Sequence, residues 1–130
     1  MKVDRKAKIK DTLCGCDDCS DGEIYFKNLQ KIGKDLKFND MLNSLLEFFN
    51  ALGNKERLVI LTALMNKERC VCELEAILDK SQPSISHHLR ELEKAGLIRG
   101  WKKGKYTYYT LIKEEFKEHI ANLIQEFSFE

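Results

Sequence analysis

The chain lacks an excess of charge of either sign. Of its 130 residues, 22 are basic and 21 are acidic, which gives a net charge of +1. A domain whose whole surface attracts nucleic acid has a strongly basic balance, and this sequence does not have one. Any surface that binds DNA must therefore be local.

Long apolar runs and a leader peptide are also missing. No stretch approaches the roughly 20 apolar residues that a membrane span requires, so we expect no membrane partner. The first eight residues, Met-Lys-Val-Asp-Arg-Lys-Ala-Lys, contain no apolar segment of the kind that secretory signals carry. The sequence predicts a cytoplasmic globular protein.

Signatures of catalysis are absent as well. The sequence shows neither a pairing of a nucleophile with a base nor a glycine-rich phosphate loop. No βαβ pattern accompanies the cysteines, as a thiol oxidoreductase would require, so the protein is predicted not to be an enzyme. What the chain does have is five cysteines, which in the cytoplasm favour metal or redox chemistry over structural disulfides.

Three of these cysteines lie within six residues near the N-terminus. The residues before them are charged and lack periodicity, so residues 1–20 are predicted to form a mobile arm that carries the cluster. Residues 21–130 are predicted to form one domain. The clustered cysteines are Cys14, Cys16 and Cys19.

Helical periodicity dominates the predicted domain. Apolar residues recur at helical spacing over about residues 21–36, 40–52, 55–65 and 113–127. The helix at 40–52 is apolar around most of its circumference, and the last helix has a long apolar face. Both carry more apolar surface than one small domain covers, so we expect these N- and C-terminal helices to form a homodimer interface.

A short helix over residues 69–78 and a second helix after it are joined by a tight turn. Two helices joined this closely are typical of a helix-turn-helix. In the second helix, Ile85, Leu89 and Leu92 follow each other at helical spacing and form a narrow apolar stripe. Gly96 is predicted to end this helix.

The opposite face of the second helix is polar and modestly basic, and its side chains are mostly short. A helix that enters the major groove of DNA needs such a face. A solvated surface helix would have the same face, but the neighbouring segments favour DNA. His88 lies on the flank and is expected to pack. The candidates for DNA contact are Ser81, Gln82, Ser84, Ser86, His87, Arg90 and Lys94.

Residues that favour β-structure follow. Residues 97–102 and 105–111 are predicted strands, joined by a turn. A β-hairpin directly after a helix-turn-helix has the layout of a winged helix, so the predicted fold is a mainly α-helical winged helix-turn-helix with a β-hairpin wing. Lysines on edge strands also discourage aggregation, but this context favours contacts with DNA phosphates. The lysines concerned are Lys102, Lys103 and Lys105.

Three stretches resemble the ArsR/SmtB family of metal-responsive repressors. Glu68-Arg-Cys-Val-Cys-Glu-Leu74 looks like the family's metal-binding box. Ser81–Leu97 is similar to its recognition helix, and Ala51–Leu61 to the helix that precedes the box. The resemblance covers about residues 38–125. It implies a homodimer that binds double-stranded operator DNA as a repressor and releases it when a metal ion binds.

The box supplies two thiols, Cys70 and Cys72. Side chains two residues apart in a regular helix point about 200° apart, so both can bind one ion only where the chain is entering the helix. A helix N-terminus is also expected to lower the pKa of a thiol there. Glu75 stands one turn further on, so a site of three local sulfurs is absent.

The chain looks closest to the cadmium- and lead-sensing branch of the family. In that branch, N-terminal cysteines of one protomer complete a site with the box cysteines of the other, which implies metal-binding roles for Cys14, Cys16 and Cys19. Thiolates favour soft ions, namely Cd(II), Pb(II), Bi(III), As(III) and Cu(I), or Zn(II) at four sulfurs, and the spacing does not choose among them.

Two further points concern the same chemistry. A thiol-redox switch in the same winged helix is the alternative function, with Cys16 and Cys19 as the pair that oxidises. The family's second site, formed by carboxylates and histidines on the C-terminal helices, is broken here, because the matching stretch is Lys113-Glu-Glu-Phe116. His119 is therefore predicted to be an ordinary surface histidine.

Overall fold

A computed structural model of the chain describes residues 2–14 and 22–128. The chain divides into two compact units, Met1–Leu42 and Asn43–Glu130. No helix in the described part is both long and apolar enough to cross a membrane. The described elements are α1 (Lys2–Cys14), α2 (Gly22–Lys37), α3 (Asp40–Leu52), α4 (Lys55–Asn66), β1 (Arg69–Cys70), α5 (Val71–Leu78), α6 (Gln82–Lys94), β2 (Ile98–Lys103), β3 (Tyr106–Leu111) and α7 (Lys113–Glu126).

The first unit contains a helix that the sequence did not predict. α1 occupies residues for which no regular structure was expected, because its few apolar residues show no helical period. The helix packs against α2: Lys10 Nζ lies 2.8 Å from Glu23 Oε2 and 5.1 Å from the centre of the Phe26 ring. The two units also divide after residue 42 rather than after residue 20, so α2 groups with α1.

The second unit is organised around α6. Ile85, Leu89 and Leu92 are at most 1% exposed, which confirms the predicted apolar stripe. Phe48 of α3, Ile60, Leu61 and Leu64 of α4, Leu74 of α5 and Leu97 and Ile98 at the start of the hairpin complete this core.

Asparagine caps begin two of the helices. Asn39 Oδ1 accepts a hydrogen bond from the N–H of Leu42 at 3.2 Å, and Asn54 Oδ1 accepts one from the N–H of Arg57 at 3.1 Å. Each bond satisfies an amide that has no partner within its helix. Ser81 occupies the cap position of α6, but its side chain makes no capping hydrogen bond there.

The three strands form one antiparallel sheet in the order β1-β3-β2. Within the β2–β3 hairpin, here called the wing, Lys103 pairs with Tyr106, so the two loop residues are Gly104 and Lys105. The turn was predicted one residue earlier. Gly104 has a φ of 64°, which suits the first central position of a type II′ turn.

The first strand corrects the prediction of a helix over residues 69–78. Arg69 pairs with Tyr109 and Cys70 pairs with Tyr108, so the helix begins only at Val71. A strand of two residues has no periodicity of its own, and it forms here because the wing returns beside it.

Gly96 ends α6 as predicted. Its φ is 73°, the N–H of Leu97 donates to the carbonyl of Leu92 at 3.1 Å, and Leu97 is fully buried. This is a Schellman ending with its apolar closing contact.

We expect Gly96→Ala to destabilise the protein by about 1–2 kcal/mol, the cost of a left-handed backbone for a residue with a Cβ. Gly33→Ala is the matched control, because no atom lies within 4 Å of the added Cβ at either site and only Gly96 has a positive φ. The control should stabilise its helix by roughly 0.5–1 kcal/mol. Urea unfolding at one protein concentration measures the free energy of unfolding of both variants. Equal changes in the two variants would contradict the left-handed helix ending assigned to Gly96.

Candidate DNA-binding surface and thiol pair

The outward face of α6 is polar and accessible. His87, Arg90 and Lys94 are exposed on the side opposite the buried stripe, as predicted. Lys94 Nζ lies 3.4 Å from Glu91 Oε1, so part of its charge is offset on the helix itself. At the start of the helix Ser81 and Gln82 are exposed, and Ser84 and Ser86 are half-buried.

His88 packs inward, as expected. It is 9% exposed, and its Nδ1 accepts a hydrogen bond from Arg57 Nη1 at 3.3 Å. Burial, followed by the positive charge of Arg57, lowers the pKa of His88 below its ordinary value. The sequence indicated the burial of His88 but gave no sign of its partner.

The wing presents its lysines to solvent. Lys102, Lys103 and Lys105 are all exposed. Tyr109 of the wing neighbours Glu93 of α6, and its pKa is raised by burial and further by the carboxylate of Glu93. The lysine-bearing hairpin and α6 are therefore neighbours.

The thiol pair, Cys70 and Cys72, lies where the chain enters α5. Cys70 precedes the helix with an extended backbone, at φ −83° and ψ 166°, and Cys72 is in the first turn. The two Sγ atoms are 2.7 Å apart, so both sulfurs face the same point despite their spacing of two. This is the geometry that the sequence argument required.

The two thiols of the pair are free, and the distance between their sulfurs is longer than a disulfide bond. A disulfide is about 2.05 Å long, whereas two thiolates that share a tetrahedral zinc lie about 3.8 Å apart, given Zn–S bonds of ~2.3 Å. Cys70 is buried and Cys72 is exposed. Rotation of the exposed Cys72 side chain would open the pair for an ion.

The expectation of a lowered thiol pKa is wrong for Cys70. Burial and the adjacent Cys72 thiol raise the pKa of Cys70 above its ordinary value. The N–H of Glu73, at the start of the helix, lowers it, but by less than burial raises it. The helix terminus acts as expected, and desolvation outweighs it.

Glu73 fixes the backbone of the thiol pair, a role that the sequence analysis missed. Its Oε1 accepts a hydrogen bond from the N–H of Cys70 at 3.1 Å, and this bond is the main cause of its lowered pKa. Arg69 donates to Glu73 Oε2 at 3.4 Å and to the carbonyl of Ala63 at 2.9 Å, which ties the pair to α4. A glutamate three residues after the cap was the available signal.

The described part of the chain gathers no further metal donors around the pair. Among residues 2–14 and 22–128, no group of three or more His, Cys, Asp or Glu side chains could hold an ion. Cys16 and Cys19 lie outside the described residues, and Cys14 is the last residue of α1, with its side chain outside the description.

His119 is half-buried rather than fully exposed. Its ring stacks on Phe48 with the centroids 4.6 Å apart, and its buried Nδ1 has no hydrogen-bond partner within the described part of the chain. The apolar neighbour comes from α3, which the sequence of α7 alone does not reveal.

The thiol pair, α6 and the wing are close neighbours. Cys72 lines one cleft together with Gln82 at the start of α6 and Lys105 at the tip of the wing. Cys70 is itself the strand partner of Tyr108 in the wing. Both thiols therefore lie beside elements that are predicted to contact DNA.

Comparison with known proteins gives a consistent family. The family described as "Bacterial regulatory protein, arsR family" matches residues 54–99. A transcriptional repressor SmtB homolog from Synechocystis is 30% identical over 108 residues, which cover 83% of this chain and 79% of that protein. A cadmium resistance transcriptional regulatory protein CadC homolog from Staphylococcus aureus is 35% identical over 106 residues, covering 80% and 86%.

A solved structure supports the same assignment. HlyU from Vibrio cholerae is 30% identical, and the match has a TM-score of 0.58 and covers 71% of this chain and all of that one. The curated relatives are transcriptional regulators and not enzymes. The helix-turn-helix, the wing and these likenesses agree, and the chain belongs to the ArsR/SmtB family of winged-helix, DNA-binding transcriptional regulators.

Proposed function

We propose that the protein is a homodimeric repressor that releases operator DNA when a soft metal ion binds the thiol pair. The observation that carries this proposal is the convergence of the two sulfurs, 2.7 Å apart, in a cleft shared with α6 and the wing. Its partner, double-stranded operator DNA, places the protein in the cytoplasm.

In the metal-free dimer, two copies of α6 enter successive major grooves, about 34 Å apart, on a two-fold operator. His87, Arg90 and Ser86 face base edges or phosphates, and the remaining polar residues of the face support them. The wing lysines bind phosphates, which contributes affinity without sequence preference.

The dimer forms through the apolar surface that α3 and α7 leave uncovered. Leu46 and Phe49 of α3 are 57% and 43% exposed, and Ile124 and Phe127 at the end of α7 are 64% and 57% exposed. Two copies that bury these faces against each other remove apolar surface which one protomer cannot cover.

The ligand set combines the thiol pair with cysteines of the arm. Cys14, Cys16 and Cys19 supply the remaining donors, and a site of three or four thiolates suits Cd(II), Pb(II), Zn(II), As(III) or Bi(III). The relative named for cadmium resistance supports a soft divalent ion. When bound, the ion supplies a link between thiolates and performs no reaction.

Release follows from the position of the pair. An ion held by the pair and by cysteines of the arm would act on Cys70, which is paired with Tyr108 of the wing, and on Cys72, which neighbours Gln82. The two states then differ in how the wing and α6 are held. A coupling of about 1–3 kcal/mol is typical of such linked sites and is enough for release.

The wing is tested by replacing Lys102, Lys103 and Lys105 with alanine. Each lysine that binds a phosphate should, when replaced, reduce the slope of log affinity against log salt by about 0.9. The probe is a duplex selected by the wild-type protein from random-sequence DNA. Alanine at Lys67, Lys113 and Lys117 removes the same charge from outside the wing and α6 and should leave the slope unchanged. Equal slopes for both triple variants would show that the wing lysines do not bind DNA phosphates.

The dimer interface is tested by Ile124→Glu. This side chain is 64% exposed in the single chain, so a charge there costs the protomer little but places two carboxylates in the proposed interface. Sedimentation should show folded monomers with reduced affinity for the selected duplex. Gln125→Glu adds the same charge on a different face of α7 and should remain dimeric. A dimeric Ile124→Glu protein would show that this interface is wrong.

The sensor is tested by replacing Cys70 and Cys72 with serine. Under reducing, anaerobic conditions the double variant should bind the selected duplex as the wild type does, yet fail to release it on addition of Cd(II). Single serine variants at Cys14, Cys16 and Cys19 should show that at least one of the three is dispensable. Thiolate charge-transfer absorption reports the binding of the ion.

The same experiment separates the alternative, a thiol-redox regulator that uses these cysteines. Wild-type protein that releases DNA with Cd(II) while a reductant is present is a metal sensor. Release only after treatment with an oxidant, with formation of a disulfide, would favour the redox function. Release of the double serine variant by Cd(II) at wild-type concentrations would overturn the proposed sensor.

A further inference from the structure

Arg57 occupies a junction between three helices of the second unit. It lies at the start of α4, where its N–H is bound to Asn54. Its side chain turns back towards α3: Nε donates to the carbonyl of Ala51 at 2.7 Å and Nη2 donates to the carbonyl of Asn50 at 3.0 Å. Both carbonyls belong to the last turn of α3, where helical partners are missing, so the guanidinium closes that helix.

The third nitrogen of the same guanidinium reaches α6. Arg57 Nη1 lies 3.3 Å from Nδ1 of His88. A guanidinium has donors only, so Nδ1 must accept the hydrogen bond and the proton of a neutral imidazole must be on Nε2. A protonated His88 would present an N–H to another N–H, and the bond would be lost.

We propose that Arg57 is the positioning residue of the recognition helix, which it joins to the end of α3 through neutral His88. His88 is adjacent to His87 and two residues before Arg90, both on the exposed face of α6. Because α3 carries the proposed dimer surface, the junction also sets where each α6 lies relative to the two-fold axis; this last point rests on the proposed function.

The groups around His88 determine how this junction responds to pH. Arg57 and Glu56 face it from α4, Lys80 from the turn before α6, and His87 from α6 itself. Burial has the largest influence, and it lowers the pKa of His88. The positive charge of Arg57, then His87 and Lys80, lower this pKa further, whereas Glu56 raises it. Because the pKa of His88 is lower in the folded protein than in the unfolded chain, the bond to neutral His88 contributes its full stability above the unfolded pKa. This stability is lost as the pH falls through the folded pKa. The junction is therefore intact above pH 6.5, the ordinary value for histidine, and weakens in more acidic solution.

His87 is the residue next to His88 on α6, and it lies on the exposed face. Its ring lies 5.4 Å from that of His88, but it is exposed on the DNA-facing side. The test therefore replaces His87 with glutamine, so that His88 is the one histidine left at this point of α6.

The test measures affinity for the selected duplex between pH 5.0 and 7.5, at constant ionic strength, with a chelator and a reductant present. In His87→Gln protein, affinity should fall with acid, by up to about tenfold per pH unit below the pKa of His88, the limit if only neutral His88 binds. In the His87→Gln/His88→Gln protein the profile should be flat, since the amide oxygen of the side chain that replaces His88 accepts from Arg57 at every pH.

Two further variants separate positioning from packing. His88→Leu fills the buried space without an acceptor, and Arg57→Met removes the guanidinium. Both should bind the duplex at least tenfold more weakly than the wild type at pH 7.5, while circular dichroism and sedimentation show a folded protein of unchanged assembly. His88→Gln should bind as the wild type does at that pH.

Either of two results would overturn the proposal: wild-type affinity in folded His88→Leu protein, or an acid-dependent loss that persists in the His87→Gln/His88→Gln protein. Neither result bears on the thiol pair, because no metal is present in these measurements. Conversely, if the cysteine variants still release DNA on addition of Cd(II), that result would not contradict the proposal about Arg57 and His88.

Discussion

The burial of Ile85, Leu89 and Leu92 is the constraint on which the rest of the second unit depends. These side chains lie on one face of a regular helix, so their burial forces the opposite face, with His87 and Arg90, towards solvent. Helices α3, α4 and α5 contribute to the same core from their own apolar faces. The exposed polar face of α6, the proposed DNA-binding surface, is therefore a direct consequence of how the core is packed.

The second structural link is the strand pairing between β1 and β3. Because Cys70 is both the residue before α5 and the strand partner of Tyr108, the thiol pair belongs to the sheet that carries the wing. Glu73 and Arg69 hold the same short segment against α4. A sensor placed here needs no long pathway to the DNA-facing elements, since one hydrogen-bonded strand already connects them.

Charge in this protein acts locally. The wing has three exposed lysines, and the exposed face of α6 has Arg90 and Lys94. The net charge of the chain is nevertheless only +1, because its acidic residues nearly equal its basic residues in number. Burial also decides the state of individual groups. It raises the pKa of Cys70 and lowers that of His88, and both shifts favour the neutral form, because a charged group loses its hydration when it is buried.

Features that depend on local spacing were determined by the sequence itself. These are the α6 stripe, the caps at Asn39 and Asn54, the left-handed Gly96 and the hairpin, each of which involves residues a few positions apart. The tertiary structure alone decided the pairing of β1, the stacking of His119 and the bond between Arg57 and His88, which are 31 residues apart. Such contacts join elements whose separate patterns carry no information about each other, so only the packed core determines which partners meet.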